Sequence, residues 1–175
     1  VPYLKDSKAP DLTDFSKFGR NEFLHIVYQG LQRYFDKNNR FPKRNNLDEI
    51  KPIIEEIKIL IQTSKESSHW IANSQDFDEK LATQLLRWGS CEITPITSFM
   101  GGIMAQEIVK YTGKYTPIDQ WLWFDFLEAV NGVPDTFNRE ELNSRYDEQI
   151  AIFGQETQNK LKNLNVFLVG AGALG

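Results

Sequence analysis

Apolar positions recur at helical spacing along the first half of the chain. Phe23, Ile26, Val27, Gly30, Leu31, Tyr34 and Phe35 follow one helix face, and residues 36–39 mark the exit. Asn46 is a plausible N-cap for a second helix, whose face carries Leu47, Ile50, Ile53, Ile54, Ile57, Leu60 and Ile61. Pro52 is either tolerated in its early turns or marks its true start. Residues 62–76 are polar and hold either a short helix around Trp70 and Ile71 or a loop. A third helix is read through Phe77, Leu81, Leu85, Leu86 and Trp88, ended by Gly89.

Beyond Pro95 the pattern changes. Residues 96–111 read as a helix with Ser98, Gly101, Gly102 and Ala105 as small positions. Two adjacent glycines each cost a helix about 1 kcal/mol relative to Ala, so they predict a close backbone neighbour. Residues 120–125 are aromatic-dense and read as a buried strand, as does the apolar run 166–169. Residues 149–153 form a short helix or strand before Gly154, and residues 156–164 look helical. The fold class expected is mostly α with some β, an α+β fragment. Its parts are a connector at 1–18, a helical bundle at 19–89, a unit at 90–143 and a further unit at 144–175.

Composition narrows the function. Of 175 residues, 41% are hydrophobic and 13% aromatic, enough for a packed core. The net charge of −4 argues against non-specific nucleic-acid binding. No run nears the ~18 apolar residues of a membrane helix. With one cysteine there is no internal disulfide or multi-cysteine zinc site, and His25 and His69 are not at ligand spacing.

Few side chains invite chemistry. Cys91 has Glu92 beside it, which raises rather than lowers a thiol pKa, so a structural role is expected. His25 reads as a hydrogen-bonded structural histidine and His69 as exposed. Asp119, Asp125 and Glu128 are spaced too irregularly for a metal or acid/base pair. Trp121, Trp123 and Phe124 are read as core rather than as a ligand surface. Gly170-Ala171-Gly172-Ala173-Leu174-Gly175 is a G-x-G-x-x-G after an apolar run. Such a turn brings backbone N–H groups to a phosphate, and the next helix aims its positive end at the anion. The motif alone does not separate ATP from NAD or FAD. The chain begins with Val1 and ends within this turn, which reads as a fragment cut at both ends.

The block from Pro95 to Lys110 and the block from Gly113 to Asp125 resemble the inactive adenylation half of eukaryotic ubiquitin-activating enzymes. There a P-I-x-x-F-x-G-G-x-x-A-Q-E helix precedes a P-I-x-Q-W-L strand. Ser144 to Gly154 is similar to the R-Y-D-x-Q-x-x-x-F-G stretch that opens the active half, and the glycine turn follows it. Asp14 to Phe18 with Leu24-His25-Ile26 looks like the entry to the family's four-helix bundle.

The resemblance implies that 90–143 ends the inactive adenylation domain and that 144–175 begins the active one, a ThiF-like α/β domain. It implies a parent that uses ATP and magnesium to adenylate the ubiquitin C-terminus. A catalytic cysteine outside this chain then takes ubiquitin as a thioester and passes it to conjugating enzymes. Gly170, Ala171, Gly172, Ala173 and Gly175 match the start of the nucleotide loop. Related enzymes often show R-Y-x-R-Q, whose second Arg reaches the partner half's ATP site; here Glu148 stands there, as suits a partner half whose own site is dead. Arg145 is expected to be structural.

The fragment is expected to be a catalytically silent scaffold, with no catalytic residue, metal or bound cofactor of its own. Its expected partners are the remaining domains of its own chain, without nucleic acid or membrane, and its expected location is the cytoplasm and nucleus. The alternatives are a helical protein-interaction module and a dinucleotide-binding oxidoreductase fragment. An apolar patch around 121–124 or on the Gly101-Gly102 helix is also expected, because their partners are absent.

Overall fold

A computed structural model of the chain describes residues 14–66 and 77–172, the side chains of 65 and 66 excepted. Among the described residues there are five α-helices: α1 (Arg20–Asn38), α2 (Leu47–Glu66), α3 (Glu79–Arg87), α4 (Thr94–Lys110) and α5 (Asp147–Lys162). Short 3-10 turns lie at Phe15–Lys17 and Leu127–Val130. The chain divides into two compact units after Leu127.

In the first unit, α1, α2 and α3 share one core. Ile26, Val27 and Leu31 of α1 meet Ile50, Ile53, Ile54 and Ile57 of α2, and Ala82 and Leu86 of α3 close the cluster. The expected apolar stripes on α1 and α2 therefore face the core, although Phe23, Tyr34, Phe35 and Ile61 are only half-buried and Leu47 stays exposed. Asn46 does cap α2: its Oδ1 accepts from the backbone N–H of Asp48 at 3.1 Å and Glu49 at 3.3 Å. The helix thus begins at Leu47, and Pro52 sits exposed inside it rather than at its start. The ring lies on the solvent side, and the Asp48 carbonyl that loses its usual N–H partner is on the exposed face near the helix start, where water can replace the bond. The loop before α2 is tied to the end of α3, since Asn45 donates its N–H to Arg87 O at 3.3 Å and accepts from Arg87 Nε at 2.9 Å.

Several expectations need correction. Phe77 precedes α3 rather than joining it, because Asp78 is the N-cap and accepts from Leu81 N–H at 2.9 Å. At the other end the helix stops at Arg87, so Trp88 is its C-cap rather than part of it, and Gly89 follows as the sequence suggested. The possible helix around Trp70 and Ile71 lies outside the described residues, as does most of the 1–18 connector. Gly101 and Gly102 have no close neighbour: a Cβ on either would meet nothing within 4 Å.

The expected strands at 120–125 and 166–169 are absent; among the described residues there is no strand at all. A strand needs a second segment to take its N–H and C=O groups, and an apolar run says nothing about whether one is present. Trp121 and Trp123 instead pack against His25 and Tyr28 of α1, Phe124 and Phe126 against Phe99 of α4, and 166–169 lie exposed.

The second unit is organised by α5. Its backbone breaks at Gly154, with φ 82° and ψ 159°, so α5 is two helical segments meeting at a sharp kink, divided at the glycine where the sequence divided them. Ile150, Ala151 and Ile152 are buried before the kink. After it, Gln155 donates its N–H to Asn138 O at 2.7 Å.

Candidate functional site

The glycine turn is the one segment to which the sequence assigns a ligand. Gly170 adopts φ 88°, a conformation that favours glycine, but no wall surrounds it. A Cβ at Gly170 or Gly172 would meet nothing within 4 Å, and Ala171 is exposed. Ala173 and Gly175 lie outside the described residues. The preceding Val166 and Phe167 are 84% and 90% exposed. The described part of the motif is thus an open turn, not a closed cradle.

A cluster of aromatic side chains lies elsewhere among the described residues. Trp121 and Trp123 stack at 5.8 Å with rings 15° apart, as alternate residues of an extended segment can. Both lie near-perpendicular to His25, each at 5.6 Å, and both touch Tyr28, at 5.5 and 5.3 Å. His25 is almost fully buried, and its Nε2 is 3.3 Å from Gln29 Nε2. It is a structural histidine, as the sequence led one to expect, and the tryptophans are half-buried packing groups.

Asp125 anchors the same segment. Its Oδ1 is 3.4 Å from Lys17 Nζ and 3.8 Å from Arg20 Nη1, and Lys17 also donates to its backbone oxygen at 3.1 Å. The acidic residues 119, 125 and 128 do not form a metal site; no group of three or more His, Cys, Asp or Glu suited to one occurs among the described residues. Cys91 is half-buried and donates its backbone N–H to Trp88 O at 2.8 Å.

At residues 144–147 the arrangement is structural. Arg145 lies over the Tyr146 ring at 4.8 Å and donates to its hydroxyl at 2.6 Å, while Lys162 approaches that ring at 5.1 Å. Asp147 accepts from the Ser144 hydroxyl at 2.8 Å and from the N–H groups of Leu142 and Ser144, both at 3.1 Å. Burial pushes its pKa up, but these donors outweigh burial and the net shift is downward.

Sequence reasoning missed one hub. Glu49 accepts from Arg40 through both oxygens at 2.9 and 3.0 Å, from the Tyr34 hydroxyl at 2.9 Å and from Lys43 N–H at 2.9 Å. The Arg40 fork first, then the Lys43 N–H, lower its pKa to about 2. In turn, desolvation and the bond to Glu49 raise the Tyr34 pKa. Asn46-x-x-Glu49 is a capping-box spacing, and that was the available signal.

Comparison with known proteins adds what geometry alone does not. Residues 3–60 match the family model described as the ubiquitin-activating enzyme E1 four-helix bundle. A ubiquitin-like modifier-activating enzyme 1 of Dictyostelium discoideum is 38% identical over 168 residues, covering 94% of this chain and 16% of that protein. A ubiquitin-activating enzyme E1 2 of Arabidopsis thaliana is 37% identical over 174 residues, covering 98% of this chain and 16% of that protein. A ubiquitin-like modifier-activating enzyme 1 of Rattus norvegicus is 36% identical over 168 residues, again covering 94% of this chain and 16% of that protein. The chain thus spans about a sixth of the length of these relatives.

Proposed function

Because this chain is kin to the ubiquitin-activating enzymes along 94–98% of its own length, we propose that it serves as a scaffold segment of such an enzyme. In a protein of the relatives' length, the activity is ATP- and magnesium-dependent adenylation of the ubiquitin C-terminus. Thioester formation and transfer to a conjugating enzyme follow. Residues 19–89 act as the helical bundle, 90–143 as the end of the inactive adenylation domain and 144–175 as the start of the active, ThiF-like one. Gly170, Ala171, Gly172, Ala173 and Gly175 open the nucleotide loop there, and the protein works in cytoplasm and nucleus.

The similarity along nearly the whole chain carries this reading. Two structural facts support the scaffold role. The described part of the glycine turn has no walls, and the conspicuous side-chain clusters are spent on packing and capping. No helix among the described residues is long and apolar enough to cross a membrane.

The test is ATP–pyrophosphate exchange with ubiquitin present. The 175-residue chain should give none. A protein of the relatives' length carrying this sequence should give exchange and a thiol-sensitive ubiquitin adduct. Ubiquitin-dependent exchange by the short chain, or no adduct from the long one, would overturn the proposal.

A further inference from the structure

Residues 118–126 contain no helix or strand, so side-chain and N–H contacts hold them in place. Those contacts fall on two sides. Trp121 and Trp123 meet His25 and Tyr28 of α1, and Asp125 meets Arg20 of α1 and Lys17 just before it. Phe124 and Phe126 meet Phe99 of α4 edge-on, with ring centres 4.9 and 5.3 Å apart. Ile118 donates its N–H to Glu107 Oε2 at 2.8 Å, further along α4. An extended backbone sends successive side chains to opposite faces, so Trp121, Trp123 and Asp125 turn to α1 while Phe124 and Phe126 turn to α4.

We propose that this segment is a two-sided strap through which α1 holds α4 on the bundle. α4 has little grip of its own. None of its residues is buried, and among the described residues the buried core cluster is drawn from α1, α2 and α3. Gly101 and Gly102 have open space beside them, so no close-packed neighbour offsets their cost to the helix. A helix of this kind keeps its hydrogen bonds mainly by staying docked. Loosening the strap at α1 therefore loosens α4, while the core that α1, α2 and α3 share is left whole. Met104, Ile108 and Val109, exposed apolar side chains of α4, are in this way placed by residues of α1.

The experiment is amide-resolved hydrogen exchange of this chain with Tyr28→Ala, Phe99→Ala and both together. Each change puts the best helix former into its own helix, so neither α1 nor α4 loses propensity. Tyr28→Ala, on the α1 side of the strap, should speed exchange of the Met104 and Ile108 amides of α4 roughly tenfold, the loss of about one aromatic pair. The Ile53 and Ile57 amides of α2 should keep their protection. In the Phe99→Ala background the effect of Tyr28→Ala on α4 should shrink, because the strap no longer grips that helix. Should Tyr28→Ala fail to fold, Asp125→Asn, which keeps the bulk and loses the pairs with Lys17 and Arg20, takes its place with the same expected direction. Four results would each overturn the strap: α4 amides unprotected in the wild type, α4 exchange unmoved by the change at the α1 side, equal acceleration in α2, or an undiminished effect in the double variant.

Discussion

At the scale of single residues, Gly30 decides how closely α1 and α2 approach. A Cβ there would lie 2.4 Å from Ile57 Cγ1, 2.8 Å from its Cδ1 and 3.3 Å from Ile53 Cγ2. Ile57 is fully buried and cannot swing away. Gly30→Ala gains about 1 kcal/mol of helix propensity but should lose about 1–3 kcal/mol to overpacking. A lower denaturant midpoint is therefore expected, with Gly102→Ala, where the Cβ meets open space, as the control that leaves it equal or higher. A rise in both would remove the close approach from the argument. Glu49 offers a different residue-scale test. Its folded pKa of about 2 lies below the ordinary 4.5. The stability it contributes is fully present above 4.5 and drains away as pH falls toward the folded value. Glu49→Gln should therefore lower the thermal midpoint at pH 7 and shrink the gap between variant and wild type at pH 2. An equal gap at both pH values would contradict it.

At the scale of elements, the kink in α5 rests on one backbone position. Gly154 has φ 82° with ψ 159°, a region essentially closed to other residues, and a Cβ would sit 2.6 Å from the Phe137 Cβ. Gly154→Ala should cost about 1–3 kcal/mol and act on the unit that begins at Glu128. Hydrogen exchange should speed up at Ile150–Ile152 amides while those of Ile53 and Ile57 keep their protection. Faster exchange in α2 as well would show that the damage is not confined. The same helix shows what sequence made legible. Apolar periodicity placed α1, α2 and the second half of α5, while residues 149–153 stayed open between helix and strand, because helices satisfy their own backbone and their pattern is local only when the run is long enough. The aromatic run 120–125 and the run 166–169 were misread as strands, because pairing depends on a second segment that no local pattern reveals. Glu49 was missed for a related reason: its partners Tyr34, Arg40 and Lys43 come together only when α1 and the following loop fold back on α2.

At the scale of the molecule, the sequence offered a glycine motif but no place for a ligand. The glycine spacing predicts a phosphate contact, while the described part of the turn stands open, because the walls of such a site would come from elements distant in sequence. The exposed apolar stretches follow the same logic. On α4, Met104, Ile108 and Val109 are exposed, and Val166 to Val169 are exposed too, whereas Trp121 and Trp123 found cover on α1. Such surface should bind a hydrophobic dye. Ile108→Lys with Phe167→Lys should lower that binding, yet move the stability of this chain by no more than about 0.5 kcal/mol, since neither side chain loses a packed neighbour. Unchanged dye binding, or a large drop in stability, would contradict the exposure. The proposed function makes the opposite demand of a protein of the relatives' length. If those stretches are covered there by further domains, each lysine is forced into an apolar contact or breaks it. The same pair of substitutions should then sharply reduce the ubiquitin adduct. Harmless in the short chain and damaging in the long one is the combination that a scaffold segment requires.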